Sequence, residues 1–354
     1  MKLDMQTITI VGQGFTGSVM SIVCSRVKKK SKFLYNVFGL EKKSKNGTRI
    51  IRKLKNGEFP FENNDTFLKS ELKKVSKQKN FFPTTNNDCI KNSDIVLVNI
   101  NLDVIDKNTR EKDLKNFQDT IINISENIKK NSLIIIESTI PPGYCQKVIQ
   151  PLINNSLRKR NFGSIDIVLG HSYERVTPGK DYLNSVIKAP RVYSSDSNLG
   201  AKKTKNFLES IIDVKKYPLT QLHNTIASET SKILENTYRA VNIAFIHEWL
   251  LFADKAKINL FEIINAIKKR KTHANIRYPG LGVGGYCLTK DPLYGDYSKS
   301  KILNFEKLKF PFSELAIKTN NSMPNYTINV IKNSLKKLDN KKIILYGVAY
   351  KNDV

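Results

Sequence analysis

Cysteine is sparse in this chain. There are four in 354 residues (Cys24, Cys89, Cys145 and Cys287), with no Cys-x-x-Cys pair among them. That density excludes a disulfide-stapled scaffold and the spacing excludes a thiolate metal cluster, so no metal site is expected, and reduced thiols point to the cytoplasm. Long apolar runs are also missing. The strongest, residues 241–253, is interrupted by His247 and Glu248 and falls short of the roughly 18 uncharged residues of a membrane span. The N-terminal six residues lack the basic region and apolar core of an export signal. No repeat of solenoid period is present, and no low-complexity tract beyond a Lys and Asn bias. Acids are outnumbered, 32 Asp and Glu against 59 Lys and Arg, for a formal net charge of +27. The lysines are scattered rather than gathered with arginines and stacking aromatics on one face. The charge therefore reads as a solvated surface that attracts anionic small molecules, with neither nucleic acid nor membrane as a partner.

What is present is the balance of a globular protein, 40% hydrophobic and 26% charged residues. Residues 7–11 alternate with β-branched side chains, meet Gly12-Gln-Gly-Phe-Thr-Gly17, and pass into a helical run over 18–27. Further strands are expected over 35–40, 95–100, 132–136 and 165–169, with a helix over 49–56 stopped by Gly57 and a helix-like lysine cluster at 29–32. Alternating units of this kind predict an α/β class with a parallel sheet, a Rossmann-like domain over 1–205. From 224 to 270 the pattern is long and helical, predicting a central all-helical domain over 206–312. A helix over 313–338 and a strand over 342–348 read as the start of a second Rossmann-like domain, 313–354, which this chain truncates.

Gly12, Gly14 and Gly17 form G-x-G-x-x-G between a strand and a helix, where glycines permit the turn and leave amides facing a pyrophosphate. Glu41 ends the next strand, 24 residues after Gly17, where an acid accepts hydrogen bonds from a ribose diol. It favours NAD, although Lys42 and Lys43 beside it offer partners to a 2′-phosphate. Glu137-Ser-Thr-Ile-Pro-Pro-Gly143 puts Thr139 at a carboxyl-terminal strand edge; it is either a ligand loop or a proline-stiffened turn. Glu174 and Arg175 follow another strand, either as an ion pair or as a proton-handling acid beside an anion ligand. Glu229, Lys232, Asn236 and Arg239 share one helix face. That face is either solvated or, given the apolar burial nearby, a lysine and an amide suited to holding an oxyanion. Cys287 ends the glycine-dense run Tyr278-Pro-Gly-Leu-Gly-Val-Gly-Gly-Tyr-Cys287, with Lys290 and Asp291 just beyond. It is a small buried hydrophobe or, with a lysine to favour thiolate and an acid as base, a nucleophile.

The ordered set of these motifs, with Glu235-Asn-Thr-Tyr-Arg239, Gly284-Gly-Tyr-Cys287 and Gly347-Val-Ala-Tyr-Lys351, closely resembles the UDP-glucose/GDP-mannose dehydrogenase family. The resemblance implies oxidation of a nucleotide-sugar alcohol to the uronic acid with two equivalents of NAD, for surface polysaccharide precursors. It implies that Cys287 attacks the aldehyde to give a thiohemiacetal and then a thioester, that Lys232 and Asn236 stabilise the oxyanion, that Asp291 and Thr139 manage protons and water, and that Glu174 is the acid/base near the sugar. It further implies cofactor contacts from Gly12, Gly14, Phe15, Thr16, Gly17, Glu41 and Thr139. Substrate contacts would come from Glu174, Arg175, Lys232, Asn236, Tyr278, Gly284 and Lys351, and a homodimer would form through the central helix.

Glu174-Arg175-x-x-Pro178-Gly179 is more similar to enzymes oxidising UDP-N-acetylglucosamine or UDP-N-acetylmannosamine than to UDP-glucose 6-dehydrogenases. Tyr286 stands where many relatives have His, Thr289 where Pro is frequent, and His171-Ser-Tyr replaces a more usual Ser-Pro. Three other readings remain: UDP-glucose 6-dehydrogenase, a single-step β-hydroxyacid dehydrogenase that would not need Cys287, and an inactive NAD-binding fragment.

Overall fold

The computed structural model describes residues 5–176, 179–335 and 338–346. The chain forms two compact units, one up to Thr230 and one from Ser231 onwards. The first carries the strands β1 (Gln6–Val11), β2 (Lys28–Lys29), β3 (Lys32–Phe33), β4 (Tyr35–Leu40), β5 (Phe81–Thr84), β6 (Ile95–Val98), β7 (Ser132–Ile136), β8 (Ile167–His171), β9 (Arg191–Tyr193) and β10 (Leu219–Gln221). Its helices are α1 (Phe15–Arg26), α2 (Lys45–Lys55), α3 (Thr66–Val75), α4 (Arg110–Asn127), α5 (Gln150–Lys159), α6 (Tyr182–Ile187) and α7 (Asn198–Ile211).

Six strands make one sheet in the order β5-β4-β1-β6-β7-β8, every neighbouring pair parallel. Parallel strands need helical crossovers that cover both faces, so interior strands are apolar throughout rather than alternating. All residues of the interior strands β6 and β7 are accordingly buried, and so are those of the edge strand β8. Helix α1 has nine buried residues, Gly17 to Ser25, and no polar face to speak of, because it packs under the sheet's centre. Pro83 is tolerated in β5 because β5 is an edge strand, where a missing N–H breaks no inner ladder. At the other edge, His171 and Ser194 exchange two backbone hydrogen bonds of 2.9 Å in an antiparallel bridge.

The cluster at 29–32 is a correction. Lys30 and Ser31 have φ of 49° and 65° and form the tight turn of the β2–β3 hairpin. Two left-handed residues in succession close a two-residue hairpin and cannot continue a helix.

The second unit contains most of α8 (Thr225–Ala256), then α9 (Leu260–Lys268), α10 (Tyr294–Lys301) and α11 (Pro311–Leu335). The helical pattern over 224–270 is two helices, because Lys257 takes φ 56° and ends α8. The expected strand at 342–348 is also corrected as far as it is described. Residues 341–346 are irregular, and Ile344, Leu345 and Tyr346 are 86%, 74% and 100% exposed. Strand geometry without a partner leaves its backbone bonds unmade.

Candidate active site

The sheet order reverses between β1 and β6, the switch point at which open α/β sheets bind ligands beyond their carboxyl ends. Gly12 sits there at φ 89°, and a side chain on it would come within 2.6 Å of the Asn99 carbonyl oxygen. Gly17 is tighter still, since its Cβ would lie 1.8 Å from the Gly12 carbonyl. Gly14 is the N-cap of α1, and no side chain caps that end. The first-turn amides of Phe15 and Thr16 are therefore left for an anion at the positive end of the helix. A crevice of about 730 Å³ opens here, lined by Gly12, Gly14, Glu41, Lys42, Lys43 and Asn99 among others.

Glu41 closes its rim: its carboxylate accepts from the Gln13 N–H (2.6 Å) and the Lys42 N–H (2.9 Å), with lone pairs left for hydroxyls. Phe15 is half exposed and stacks on Phe61 at 4.3 Å. A cradle that a Cβ would fill, a bare helix terminus and an acid at the next strand end together fit a dinucleotide. A Gly17→Ala chain is expected to bind NADH at least tenfold more weakly in a fluorescence titration, because the added carbon collides with backbone rather than with a movable side chain.

Further ligand-facing loops leave the same sheet edge. After β7, Glu137 and Ser138 are buried and Thr139 is half buried. After β8, Glu174 is half buried, its carboxylate accepting from the Val176 N–H. Arg175 donates to the Pro190 carbonyl at 3.1 Å and lies over the Tyr173 ring. Thr177 and Pro178 of this motif lie outside the described residues.

Glu229, on the first turns of α8, points into this unit rather than outward. Its carboxylate, 1% exposed, accepts from the amides of Gly143 (2.5 Å) and Cys145 (2.8 Å) and so fixes the end of the Thr139 loop. Burial pushes its acid dissociation up to about 8 against the pull of those two amides. The unfolded chain releases this proton near the ordinary glutamate value of about 4.3. Between the two values the folded state holds more protons, so stability is greatest on the acid side and falls as pH rises through the window. Thermal melts of a Glu229→Gln chain should lack this component, about 1.4 kcal/mol per pH unit, relative to the unsubstituted chain between pH 5 and 8.

In the second unit the predicted residues converge. Asn236 and Asp291 are buried, and the Asn236 Nδ2 donates to the Asp291 carboxylate at 2.7 Å. Lys232 is half buried one turn earlier on α8, and its charge acts on Asp291. Cys287 is exposed, and its carbonyl accepts from the Asp291 N–H at 2.9 Å, so thiol and acid are one turn apart. Burial raises the Asp291 pKa above the ordinary aspartate value, opposed first by Lys290 and then by Asn236 and Lys232.

Lys290, expected as the charge that favours the Cys287 thiolate, is also engaged by an acid and a phenol. Its buried ammonium bonds Asp291 (3.0 Å) and Tyr294 Oη (2.6 Å), between the rings of Tyr286 and Tyr294. Arg239 is exposed, so the shared α8 face ends at Asn236. Tyr278 stacks on Phe261 and bonds Asn265 at 2.6 Å, and Gly284 is exposed. Lys351 lies outside the described residues. Sequence reasoning missed Glu137 and Arg191 as partners in a buried ion pair of 2.5 Å, although an acid directly after four apolar strand residues is a signal of its own.

Comparison with known proteins agrees with this geometry. The family model described as UDP-glucose/GDP-mannose dehydrogenase family, NAD binding domain, matches residues 6–209, and that of the central domain matches residues 226–322. The UDP-N-acetyl-D-mannosamine dehydrogenase of Methanococcus vannielii is 28% identical over 357 residues, covering 100% of this chain and 74% of that protein. The structure of the UDP-N-acetyl-mannosamine dehydrogenase from Staphylococcus aureus superposes with a TM-score of 0.78 at 26% identity, covering 99% of this chain and 76% of that one. A UDP-glucose dehydrogenase structure from Pyrobaculum islandicum, at 18% identity and a TM-score of 0.77 over 95% of this chain and 72% of that one, shares the fold.

Proposed function

We propose that this chain, which belongs to the UDP-glucose/GDP-mannose dehydrogenase family, oxidises the C6 alcohol of UDP-N-acetylmannosamine to the uronic acid in two NAD-dependent steps. The observation that carries the reading is the cluster of Asn236, Asp291 and Lys232 one turn from an exposed cysteine. The choice of sugar rests on relatives that act on UDP-N-acetyl-D-mannosamine.

The glycine cradle of Gly12, Gly14 and Gly17 with Glu41 would hold NAD, which would supply the hydride acceptor for both oxidations. In the first, Glu174 takes the hydroxyl proton by way of Thr139 as the alcohol becomes an aldehyde. The Cys287 thiolate then adds to the aldehyde carbon, and Lys232 with the Asn236 amide holds the alkoxide of the thiohemiacetal. Loss of the second hydride leaves a thioester, which a water activated by Asp291 cleaves to the acid and free thiol. The same Asn236 bond that keeps Asp291 oriented also limits where that water can sit.

The test is product stoichiometry. UDP-N-acetylmannosamine should yield two NADH per sugar, with kcat/KM at least tenfold above that for UDP-N-acetylglucosamine or UDP-glucose. One NADH per sugar sinks the two-step chemistry, and a preference for UDP-glucose sinks the substrate assignment. A β-hydroxyacid dehydrogenase would reduce NAD with a simple hydroxy acid instead.

The central helix is also the proposed dimer contact. Leu234, Tyr238, Phe245, Trp249 and Phe252 fall at helical spacing on one stripe of α8 and are 64%, 51%, 52%, 46% and 56% exposed. A stripe of that size on a solvated helix marks an interaction surface. Trp249→Glu is expected to sediment as a monomer where the unsubstituted chain sediments as a dimer. Trp249 is the single tryptophan, so its emission should shift to the red on dilution.

A further inference from the structure

The Glu137–Arg191 ion pair lies wholly inside the first unit, with Glu137 2% and Arg191 1% exposed. An apolar pair of similar volume is often as stable as a buried ion pair, so stability alone is a weak account of this one. Its outer bonds are more informative. Glu137 Oε2 accepts from the Asn99 Nδ2 at 2.9 Å, and Asn99 lines the dinucleotide crevice with its carbonyl packed against Gly12. On the other side, Arg191 Nη1 donates to the Tyr173 carbonyl at 3.2 Å, one residue before Glu174. The preceding Pro190 carbonyl receives Arg175. The start of β9 thus grips the Tyr173-Glu174-Arg175 segment at both ends. Burial raises the Glu137 pKa above the ordinary glutamate value, opposed by Arg191 and reinforced by the nearby Glu174.

We propose that Glu137 and Arg191 are a positioning pair that transmits occupancy of the dinucleotide crevice to the segment carrying Glu174. The proposal rests on the reading of Glu174 as the acid/base for the sugar. Its continuous path is glycine cradle, Asn99, Glu137, Arg191 and the Tyr173 carbonyl. Each link is a hydrogen bond or backbone contact, and none of the four residues beyond the cradle needs to touch the sugar. Two sites biased by one rigid network are coupled reciprocally, so cofactor would order the segment and the segment would favour cofactor.

The deciding experiment is hydrogen exchange on the peptide spanning residues 167–176, with and without saturating NADH, in the full chain and in Glu137→Gln and Arg191→Lys. In the unsubstituted chain NADH should slow exchange of this peptide at least threefold. Both variants should lose that protection while still binding NADH within threefold of the original affinity. Under turnover, kcat should fall ten- to a hundredfold with KM for NAD little changed. No protection in the unsubstituted chain overturns the proposal, as does equal protection in the variants. Loss of NADH binding in step with loss of protection would make the pair merely structural and overturns it too. The exchange readout needs no sugar, so protection without UDP-sugar turnover would overturn the assigned reaction while leaving the crevice-to-segment link in place.

Discussion

A Cys287→Ser chain is expected to release about one NADH per UDP-sugar and to stall at the aldehyde, with uronate formation down at least a thousandfold, if Cys287 is the proposed nucleophile. Thiolate is available near neutral pH because a free thiol ionises at about 8.5. A serine hydroxyl is not ionised there, and no histidine base stands in the 284–291 segment to activate it. The first oxidation needs only proton removal and hydride acceptance, so it survives the change. The second needs a covalent adduct to present a hydride-donating carbon, and it does not. NADH absorbance set against sugar consumed, with a hydroxylamine trap for the aldehyde, reads both halves. Undiminished uronate from the serine chain would remove Cys287 from the mechanism and return the single-step alternative.

Asp291→Asn should be nearly as damaging, and for two separable reasons. The carboxylate is 0% exposed and receives Asn236 on one oxygen and Lys290 on the other. An amide accepts on one end only, so its NH₂ must oppose one of those donors. Lys290, 5% exposed, then keeps a buried charge with its counter-ion gone. Breaking a buried pair in this way costs roughly 3 kcal/mol or more, which a denaturant titration would register. Activity should fall at least a hundredfold, the usual scale for losing a positioned proton acceptor. Near-original activity in a destabilised Asp291→Asn chain would reduce Asp291 to a scaffold for Lys290.

Much of the molecule was legible in residue pattern. The β-branched run at 7–11 and the glycine spacing of 12, 14 and 17 correspond to β1 and the cradle because tight turning and close approach admit few other sequences. Interior strands β6 and β7 were visible as uninterrupted apolar runs. Edge strand β5, Phe-Phe-Pro-Thr, was not, since its proline argues against a strand wherever a ladder must continue on both sides. The hairpin at Lys30 and Ser31 escaped notice because neither residue is one that favours positive φ.

The site shows the same division. Lys232 and Asn236 share a face by helical geometry, and Asp291 accepts from Asn236 and feels the Lys232 charge. Long-range pairing is what a linear reading lacks. Glu137 and Arg191 are separated by 54 positions, and nothing local to either names the other. Lys290 was read as a charge beside the thiol, and its ammonium also bonds the buried acid and a phenol. A buried ammonium needs acceptors for its donors, and which acceptors lie in reach depends on the folded segment.

Both margins of the large sheet are interrupted, by Pro83 on β5 and by the Ser194 backbone against His171 at the end of β8. Each interruption shortens the run of amides and carbonyls onto which another molecule could zip. The bared aromatic stripe of α8 is therefore a larger adhesive surface than either margin of this sheet.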